Sequence, residues 1–464
     1  MPAVQVNHRG PIGVLGLWHL GSVTAACLAD AGNEVIGVDP DTAVVAALAE
    51  GHPPVSEPGL AELMRESAAR LRFTTDPDAL CDARCAWVTF DTPVDEDDRA
   101  DVEWVLEHAV AMLGALPTGA LVILSSQLPV GSTARLREQC AAQRREESLR
   151  FACVPENLRL GQALDAFRRP ERIVVGASSD EDRRELAELL APFSTNVEWM
   201  SVESAEMTKH ALNGFLATSV AFINEVAAIC EAVGADAGEV SRGLKSERRI
   251  GPRAYLGPGD AFAGGTLARD IGFLRGLAER HDLPAYVFAG VADGNAAHKR
   301  WTERKLVQLL GIAGGANGDA EPLAGRTVAI WGLTYKPGTD TLRRSSAVEL
   351  CQRLAAAGAT VRAHDPAVSA LPPELAADID LCPDPLSAAH GADALVLCTP
   401  WPEYREIGVQ GICASLANAL IIDPAGVLKD TLADNPAVSY VRVGSPSHAG
   451  LRATTGAVLT EDEG

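Results

Sequence analysis

Basic residues are scarce in this chain of 464 residues, which has 40 lysines and arginines against 62 aspartates and glutamates and a formal net charge of −22. This balance argues against nucleic acid and anionic membranes as partners. An anionic small molecule is still allowed, because a local basic pocket can overcome the charge of the whole chain. Uncharged apolar runs of membrane-spanning length and a signal-peptide pattern are also missing. We therefore expect a cytoplasmic protein that binds neither nucleic acid nor membrane.

Cysteine patterns that indicate a metal site or a disulfide framework are absent as well. The ten cysteines are scattered and lie mostly in apolar segments, so we expect reduced thiols and no metal. Cys153 lies on an apolar strand three residues before Glu156, and we expect it to be an inert core cysteine rather than a relocated nucleophile.

The length predicts two or three domains. Residues 11–200 alternate short apolar runs with helical stretches, which is typical of a doubly wound parallel sheet. The strands predicted there are Ile12–Leu15, Glu34–Val38, Ala86–Thr89, Ala120–Leu124, Phe151–Val154 and Arg172–Val175. We therefore expect an N-terminal domain over residues 1–200.

The pattern changes after residue 200. Residues 201–310 have helical periodicity and few strand signals, which predicts a central helical domain with one long helix. A Gly/Ala/Asn-rich stretch at 311–322 indicates a linker. A second α/β domain is predicted over 323–445, followed by a tail at 446–464. Its predicted strands are Thr327–Trp331, Thr360–Ala363, Ala394–Cys398 and Leu420–Ile422.

A damaged dinucleotide fingerprint follows the first predicted strand. It is the loop Gly16-Leu17-Trp18-His19-Leu20-Gly21, which leads into a helix and a second strand that ends in Asp39. The order strand, turn, helix, strand and acid is right for a Rossmann site, and Asp39 favours NAD over NADP. The middle glycine is replaced by Trp18. The alternative is a Rossmann-like domain that no longer binds a dinucleotide, or binds it in a shifted position. We expect that NAD binding is retained and that the Trp18 side chain is turned away from the pyrophosphate.

Several other segments, in chain order, resemble the signature motifs of one enzyme family. They are Thr92-Pro93, Val154–Gly161, Glu206–Asn213, Arg249-Ile250-Gly251, Gly259–Asp270, Gly332–Ser345, Asp365-Pro366 and Trp401. On these matches the sequence is identified as a member of the UDP-glucose/GDP-mannose dehydrogenase family. The resemblance implies two Rossmann-like doubly wound parallel-sheet domains, joined by a central helical domain with a long spine helix, and a homodimer.

The resemblance also implies where the ligands bind. The NAD-binding residues would be Gly16, Leu17, Trp18, His19, Leu20, Gly21, Asp39, Thr92, Gln127 and Arg343. A nucleotide-diphosphate sugar would contact Asn157, Leu158, Arg159, Leu160, Arg249, Tyr255, Leu256, Gly259 and Lys336. Of these, Lys336 would meet the diphosphate, and Arg249 would reach over from a neighbouring subunit.

The residues implied for hydride transfer are present. Lys209 and Asn213 are four apart on a helix and share a face, so together they can polarise an oxygen that becomes negative. Asp270 is implied to act with Lys209, through water, as the acceptor of the hydroxyl proton. Glu156 is either a catalytic carboxylate that activates water or a loop residue that caps the next helix, and both interpretations stay open.

The resemblance implies two oxidations in the family, from alcohol to aldehyde and then, through a cysteine thioester, to the acid. The departures from the family pattern cluster at residues implied for the second oxidation, for the hydrolysis or for the nicotinamide pocket. The nucleophilic cysteine of the family falls on Thr266, its loop lysine on Arg269, its second glutamate on Leu160, and a threonine that helps to hold water on Gln127. A threonine hydroxyl without an adjacent base is a poor nucleophile. We therefore expect no enzyme thioester and a single two-electron oxidation to the carbonyl level.

Three alternatives remain open at this point. The first is formation of a uronate without a covalent intermediate, by oxidation of a hydrated aldehyde. The second is a redox-neutral epimerase that holds NAD tightly and returns the hydride. The third, suggested by Trp18, is a protein that binds a nucleotide sugar without turnover.

Overall fold

The computed structural model describes residues 10–95, 100–144, 148–156, 158–263, 265–311, 321–433 and 435–446. The predicted linker and tail lie mostly outside these ranges. The chain divides into two compact units, Met1–Asn213 and Gly214–Gly464, and the predicted boundaries at 200 and 323 stay predictions.

The first unit is built on an eight-stranded sheet in the order β3-β2-β1-β4-β5-β6-β7-β8. The strands are β1 (Ile12–Leu15), β2 (Val35–Val38), β3 (Leu71–Thr74), β4 (Cys85–Val88), β5 (Leu121–Leu124), β6 (Arg150–Cys153), β7 (Ile173–Ala177) and β8 (Val197–Met200). The helices before residue 200 are α1 (His19–Asp30), α2 (Thr42–Ala49), α3 (Leu60–Glu66), α4 (Val102–Leu113), α5 (Ser132–Arg144), α6 (Ala163–Arg168) and α7 (Asp180–Leu190). Strands β1, β2, β4 and β5 are buried throughout, because helices cover both faces of a parallel sheet.

The sheet is parallel except between β6 and β7, which pair antiparallel. The connection between them, residues 154–172, therefore returns at the same end of the sheet and does not cross it. This keeps residues 154–160 at the carboxyl ends of the parallel strands, where open α/β sheets bind ligands. The sequence pattern did not predict this reversal.

Helix α8 (Val202–Val233) is 32 residues long, and the boundary between the two units falls within it. Among the described residues it is the one helix long and apolar enough to cross a membrane, contrary to the expectation that no such segment exists. Length and composition are weak grounds for a membrane span. Val202 and Ala205 pack in the first unit with Cys153, while Ala227 and Cys230 pack in the main core of the second unit.

After α8, four described helices precede a six-stranded sheet in the order β11-β10-β9-β12-β13-β14, and further helices lie between its strands. The helices are α9 (Ala237–Ser246), α10 (Thr266–Arg280), α11 (Tyr286–Lys299), α12 (Trp301–Leu310), α13 (Ser346–Ala356), α14 (Pro373–Ala376), α15 (Pro385–Ala389), α16 (Val409–Ser415) and α17 (Lys429–Leu432). The strands are β9 (Thr327–Trp331), β10 (Thr360–His364), β11 (Asp380–Leu381), β12 (Ala394–Leu397), β13 (Leu420–Ile422) and β14 (Ser439–Val441).

Both sheets contain the strand order 3-2-1-4-5-6 of the Rossmann fold. In the second sheet, all five pairs of neighbouring strands among the described residues are parallel. The predicted fold class, two Rossmann-like sheets with a helical segment between them in sequence, is confirmed.

Candidate active site

The loop between β1 and α1 keeps the two outer glycines of the fingerprint for steric reasons. Gly16 has φ +88°, and a Cβ atom there would lie 2.6 Å from Cδ1 of Phe90. A Cβ atom on Gly21 would overlap the carbonyl oxygen of Gly16. The backbone of the loop therefore lies against the first turn of α1, as a dinucleotide cradle requires.

Trp18 occupies the N-cap position of α1, and its side chain is 48% exposed. The neighbouring Leu17 and Leu20 are buried. The indole is thus placed at the solvent-accessible rim of the loop rather than in the core. Its orientation toward a bound pyrophosphate stays a prediction.

Asp39 follows β2 and is held by backbone donors of two segments. Its Oδ2 accepts a hydrogen bond from Leu17 N at 2.6 Å, and its Oδ1 accepts one from Asp41 N at 2.9 Å. The carboxylate is nearly buried. It therefore lies beside the glycine loop, which is the place that ribose recognition requires.

A buried carboxylate that the sequence analysis missed links the glycine loop to the predicted substrate segment. Glu57 Oε2 lies 3.0 Å from His19 Nε2 and accepts from Gly161 N at 2.7 Å, while Oε1 accepts from Ala163 N at 2.8 Å. The four residues are brought together from three parts of the chain. Glu57 thereby fixes the end of the 158–161 segment against the start of α1.

The loop that carries Gln127 is held by side chains from two elements. Thr92 Oγ1 donates to the Gln127 carbonyl oxygen at 2.8 Å, and His210 Nε2 lies 2.9 Å from the Leu128 carbonyl oxygen. Glu206, on the same helix as His210, accepts from Gly131 N at 2.6 Å. It also accepts from the backbone and hydroxyl of Thr133, at 2.9 and 2.6 Å. The first turns of α8 thus position this loop, a role the sequence did not reveal.

Lys209 and Glu156 form an ion pair in the first unit. Lys209 Nζ lies 3.3 Å from Glu156 Oε1, and both side chains are mostly buried. Glu156 Oε2 also accepts from Leu158 N at 2.7 Å. The N-cap residue of the next helix, α6, is Gln162, so Glu156 does not cap that helix. The carboxylate contacts a predicted catalytic group instead.

The remaining predicted residues of the first unit are placed as follows. Asn213, one turn after Lys209 on α8, is buried. Leu158 and Leu160 are half-buried and Arg159 is exposed, whereas Asn157 lies outside the described residues.

The segment between α9 and α10 carries four of the predicted substrate residues of the second unit, and the fifth, Lys336, lies half-buried in the loop after β9. Gly259 N donates to Asn224 Oδ1 at 3.0 Å, and His298 Nε2 lies 2.7 Å from the Gly259 carbonyl oxygen. Leu256 is buried, and its carbonyl oxygen accepts from the hydroxyl of Ser241. Tyr255 is exposed, and so is Arg249, whose Nε lies 3.0 Å from Glu247 Oε1.

Thr266 is the first residue of α10 and follows Gly265, which has φ +102°. Its side chain is exposed, whereas Asp270, one turn later, is fully buried. Arg343 lies exposed in the loop before α13. Thr266 and Asp270 belong to the second unit and Lys209 and Asn213 to the first, so their predicted joint action stays a prediction.

The second sheet also has an aspartate after its second strand that accepts hydrogen bonds from backbone groups, but this aspartate has more donors than Asp39. Asp365 follows β10, and its Oδ2 accepts from Leu333 N at 2.7 Å, Thr334 N at 2.9 Å and Thr334 Oγ1 at 3.0 Å. It also accepts from Trp401 Nε1 at 3.0 Å, while Oδ1 accepts from Ala367 N at 2.9 Å. Five donors therefore converge on this one buried carboxylate.

The thiols near these sites are not poised for nucleophilic attack. Burial raises the pKa of Cys153, at the end of β6, well above its usual range. Burial has the same effect on the pKa of Cys398, which follows β12. A thiolate is the reactive form of cysteine, so both thiols are expected to be inert, as predicted for Cys153.

Comparison with known proteins identifies the family. Residues 11–194 match the NAD binding domain of the UDP-glucose/GDP-mannose dehydrogenase family, residues 203–297 its central domain and residues 329–430 its UDP binding domain. The chain belongs to this family.

Relatives match over most of their length. The chain is 37% identical to UDP-glucose 6-dehydrogenase of Pseudomonas aeruginosa, over 88% of this chain and 92% of the relative. It is 32% identical to UDP-glucose 6-dehydrogenase of Rhizobium meliloti, over 94% of this chain and 99% of the relative. A solved UDP-glucose dehydrogenase from Pyrobaculum islandicum superposes with a TM-score of 0.78 at 28% identity and covers 90% of this chain and 95% of that one.

Membership of the UDP-glucose/GDP-mannose dehydrogenase family makes this chain an oxidoreductase with NAD as its cofactor. The first unit fits that cofactor on its own geometry. A Cβ atom at Gly16 or at Gly21 would collide with protein atoms, so the tight turn of the loop requires both glycines, and Asp39 is oriented beside that loop. Trp18 departs from the fingerprint, but its side chain lies at the exposed rim of the loop.

Proposed function

We propose that this chain oxidises a nucleotide-diphosphate sugar by two electrons, from an alcohol to the carbonyl level, without an enzyme-bound thioester. The observation that carries the proposal is Thr266, at the first position of α10, where the family signature has its nucleophilic cysteine. The groups for the first oxidation are retained, while the group for the second is replaced.

Two of the polar groups proposed for the oxidation, Lys209 and Asn213, belong to the first unit. The Lys209 ammonium, held by Glu156, and the Asn213 amide lie one turn apart on α8 and can stabilise negative charge on the sugar oxygen. Asp270 accepts the hydroxyl proton through water. The loop Gly16–Gly21 and Asp39 would hold NAD, which would supply the acceptor for the hydride of this carbon. One alcohol therefore loses a hydride and a proton and becomes a carbonyl compound, and one NADH forms.

The reaction stops there because a further oxidation needs a nucleophile to add to the carbonyl carbon. A threonine hydroxyl is far less acidic than a thiol, and activation of a hydroxyl requires an adjacent base. Cys153 and Cys398 do not substitute for it, since burial keeps the pKa of each thiol high.

A nucleotide-diphosphate sugar is the substrate class that the second unit supports. A cavity of about 260 Å³ there is lined by Lys336, Thr334 and Tyr335 of the signature loop after β9. Lysine at such a cavity is suited to a diphosphate. The match to the family's UDP binding domain and the names of the relatives support the same substrate class.

We also propose a cytoplasmic homodimer. Phe215, Phe222 and Ile229 recur every seven residues on α8 and are 69%, 47% and 58% exposed. An exposed apolar stripe of this kind is typical of a surface that another chain covers.

The decisive experiment measures NADH released per sugar consumed, with mass spectrometry of the product and of ligands freed from purified protein. One NADH per sugar and a carbonyl product are expected. Two NADH and a uronate would instead establish cysteine-independent acid formation, and an isomer with no NADH an epimerase. Failure to find any bound or binding dinucleotide would favour a binding protein without turnover.

A further inference from the structure

A cavity lies in the first unit between the sheet and the helices that cover one of its faces. Its volume is about 80 Å³, several times the roughly 10–15 Å³ that one water molecule needs. Its wall includes Thr24 of α1, Trp87 of β4, Ala166 and Phe167 of α6, and Phe193 after α7. We call it the α1–α6 cavity.

The cavity is associated with the reversal between β6 and β7. Because β7 runs antiparallel to β6, residues 154–172 return at the same end of the sheet, and the helix α6 within them has only six residues. So short a helix covers less of the sheet than α1, which has 12 residues. Phe167 and Phe193 pack against the core of the first unit and yet stay half-buried. The chain's own side chains thus leave space beside them.

The wall is mainly apolar and contains three aromatic rings. The ring centroids of Trp87 and Phe167 lie 6.2 Å apart, and those of Phe167 and Phe193 lie 5.0 Å apart. The charged residues among the described part of the wall are Glu156 and the exposed Arg172, whose charges are opposite. Three rings and no net charge favour a neutral aromatic occupant.

Thr24 contributes a buried hydroxyl that has no partner. The residue is 1% exposed, and its Oγ1 makes no hydrogen bond to any described residue. By contrast, the hydroxyl of Thr218, within α8, donates to the carbonyl oxygen four residues earlier. Ser125, also in the cavity wall, accepts from Trp87 Nε1 and donates to the Val154 carbonyl oxygen. A buried hydroxyl without a partner costs stability, so Thr24 has a hydrogen bond to offer to an occupant.

Water alone does not account for this arrangement. A buried water molecule typically makes about three hydrogen bonds to polar groups. In the wall, the Ser125 hydroxyl and the Trp87 ring N–H already bond to each other, and Glu156 pairs with Lys209. Thr24 is therefore an isolated polar group on an apolar surface. Such a surface suits a ligand that has one polar group on an apolar body.

We propose that the α1–α6 cavity binds a compact aromatic molecule with one hydroxyl group, whose ring packs against the three aromatic rings and whose hydroxyl bonds to Thr24. The cavity lies between the sheet and its helices, whereas a dinucleotide lies at the carboxyl edge of such a sheet, so the two sites are separate. Because Glu156 forms part of the wall, the occupant lies beside the carboxylate that pairs with Lys209. The inference does not depend on the proposed function, since neither a sugar nor hydride transfer enters it.

Fluorine NMR titration of the full chain with 4-fluorophenol, and separately with 4-fluorotoluene, tests the proposal. The two probes have nearly the same size, but only the phenol can bond to Thr24. We expect saturable one-to-one binding of 4-fluorophenol to the wild type. Thr24→Val keeps the shape of the side chain and removes its hydroxyl. It should weaken binding of 4-fluorophenol by about two- to tenfold and leave the affinity for 4-fluorotoluene unchanged.

A second variant fills the cavity instead of changing its polarity. Ala166 lines the cavity from α6, so Ala166→Leu should abolish binding of both probes. Ala141→Leu, at an exposed position of α5, is the matched control and should bind both probes as the wild type does. Circular dichroism establishes that each variant is folded.

Two results would overturn the inference. If the wild type binds neither probe saturably, the cavity holds water only. If Thr24→Val and Ala166→Leu both bind 4-fluorophenol as tightly as the wild type, the probe binds elsewhere on the chain.

Discussion

The Nζ atom of Lys209 lies 3.3 Å from Oε1 of Glu156, although the two residues are 53 positions apart in sequence. The pair joins helix α8 to the loop after β6. It places the ammonium at the carboxyl end of the first sheet, next to the loop that Thr92, Glu206 and His210 hold. The Glu156 carboxylate, for which the sequence allowed two roles, is therefore a direct partner of the predicted catalytic group Lys209.

Removing this ammonium should affect turnover more than binding. We expect Lys209→Ala to lower kcat by about 10²–10³-fold with little change in KM, because the charge acts on the oxygen in the transition state. Asp270→Asn should show the same pattern. Steady-state kinetics with NAD and the nucleotide sugar give both constants, and exposed Lys429→Ala is the control. Unchanged kcat in either variant would show that the family's roles do not apply here.

The packing of the Gly16–Gly21 loop predicts that an alanine at two different helical glycines has very different effects on NAD binding. Gly21→Ala should weaken NAD binding by more than roughly tenfold, since the added methyl group meets the Gly16 carbonyl oxygen. Gly276→Ala, on α10 with open space around it, should leave NAD binding unchanged. Calorimetric titration measures both. Wild-type protein that binds no NAD up to millimolar concentration would contradict retained binding beside Trp18.

Glu57 should prove to be a positioning residue. Glu57→Gln keeps the shape of the side chain but replaces one accepting oxygen by an amide donor. That donor would face either Gly161 N and His19, or Ala163 N. We expect a loss of about 1–3 kcal/mol in the free energy of unfolding and a raised KM for NAD, with kcat less affected. Urea unfolding and kinetics measure the two effects, with exposed Glu62→Gln on α3 as control. Equal KM values would limit Glu57 to stability.

Thr266 should be dispensable. If the reaction stops at the carbonyl level, Thr266→Ala should retain most activity, because no covalent intermediate forms at this exposed position. Intact-protein mass spectrometry during turnover should reveal no sugar adduct in the wild type. Abolition of uronate formation by Thr266→Ala, together with two NADH per sugar in the wild type, would disprove the proposed route.

The exposed apolar stripe of Phe215, Phe222 and Ile229 on α8 predicts that a charge placed in it separates the proposed dimer into monomers. Phe222→Asp should convert a dimer into a monomer, because a carboxylate would be buried in an apolar interface. Light scattering coupled to gel filtration distinguishes one chain of 48.7 kDa from two. Leu386→Asp, exposed elsewhere on the second unit, should leave the dimer intact. A wild-type monomer would rule out the proposed dimer.

The buried strands were the most predictable part of the fold. The bounds of β1, β9 and β13 match the apolar runs residue for residue, because strands covered on both faces are apolar throughout. The edge strands β3 and β8 were missed, since each is only half-buried and contains charged residues. An edge strand carries too little apolar pattern to be distinguished from a loop.

Site residues that lie within a short sequence motif could be predicted. Contacts between residues that are far apart in the sequence could not. Lys209, Asn213 and the glycine loop lie within short recognisable segments. Glu57 was missed because its backbone partners Gly161 and Ala163 lie 104 and 106 residues away. His210 adjoins Lys209 in sequence but contacts Leu128, and no local pattern encodes such a contact.

The five donors on Asp365 bear on binding stoichiometry. A carboxylate oxygen has two lone-pair positions, and Oδ2 of Asp365 already accepts four hydrogen bonds, so Asp365 cannot accept from the two hydroxyls of a ribose with both of its oxygens. Asp39, at the equivalent point of the first sheet, accepts from two backbone groups among the residues that the structure describes. Although the chain contains two sheets of the same topology, it should therefore bind one NAD per polypeptide and not two.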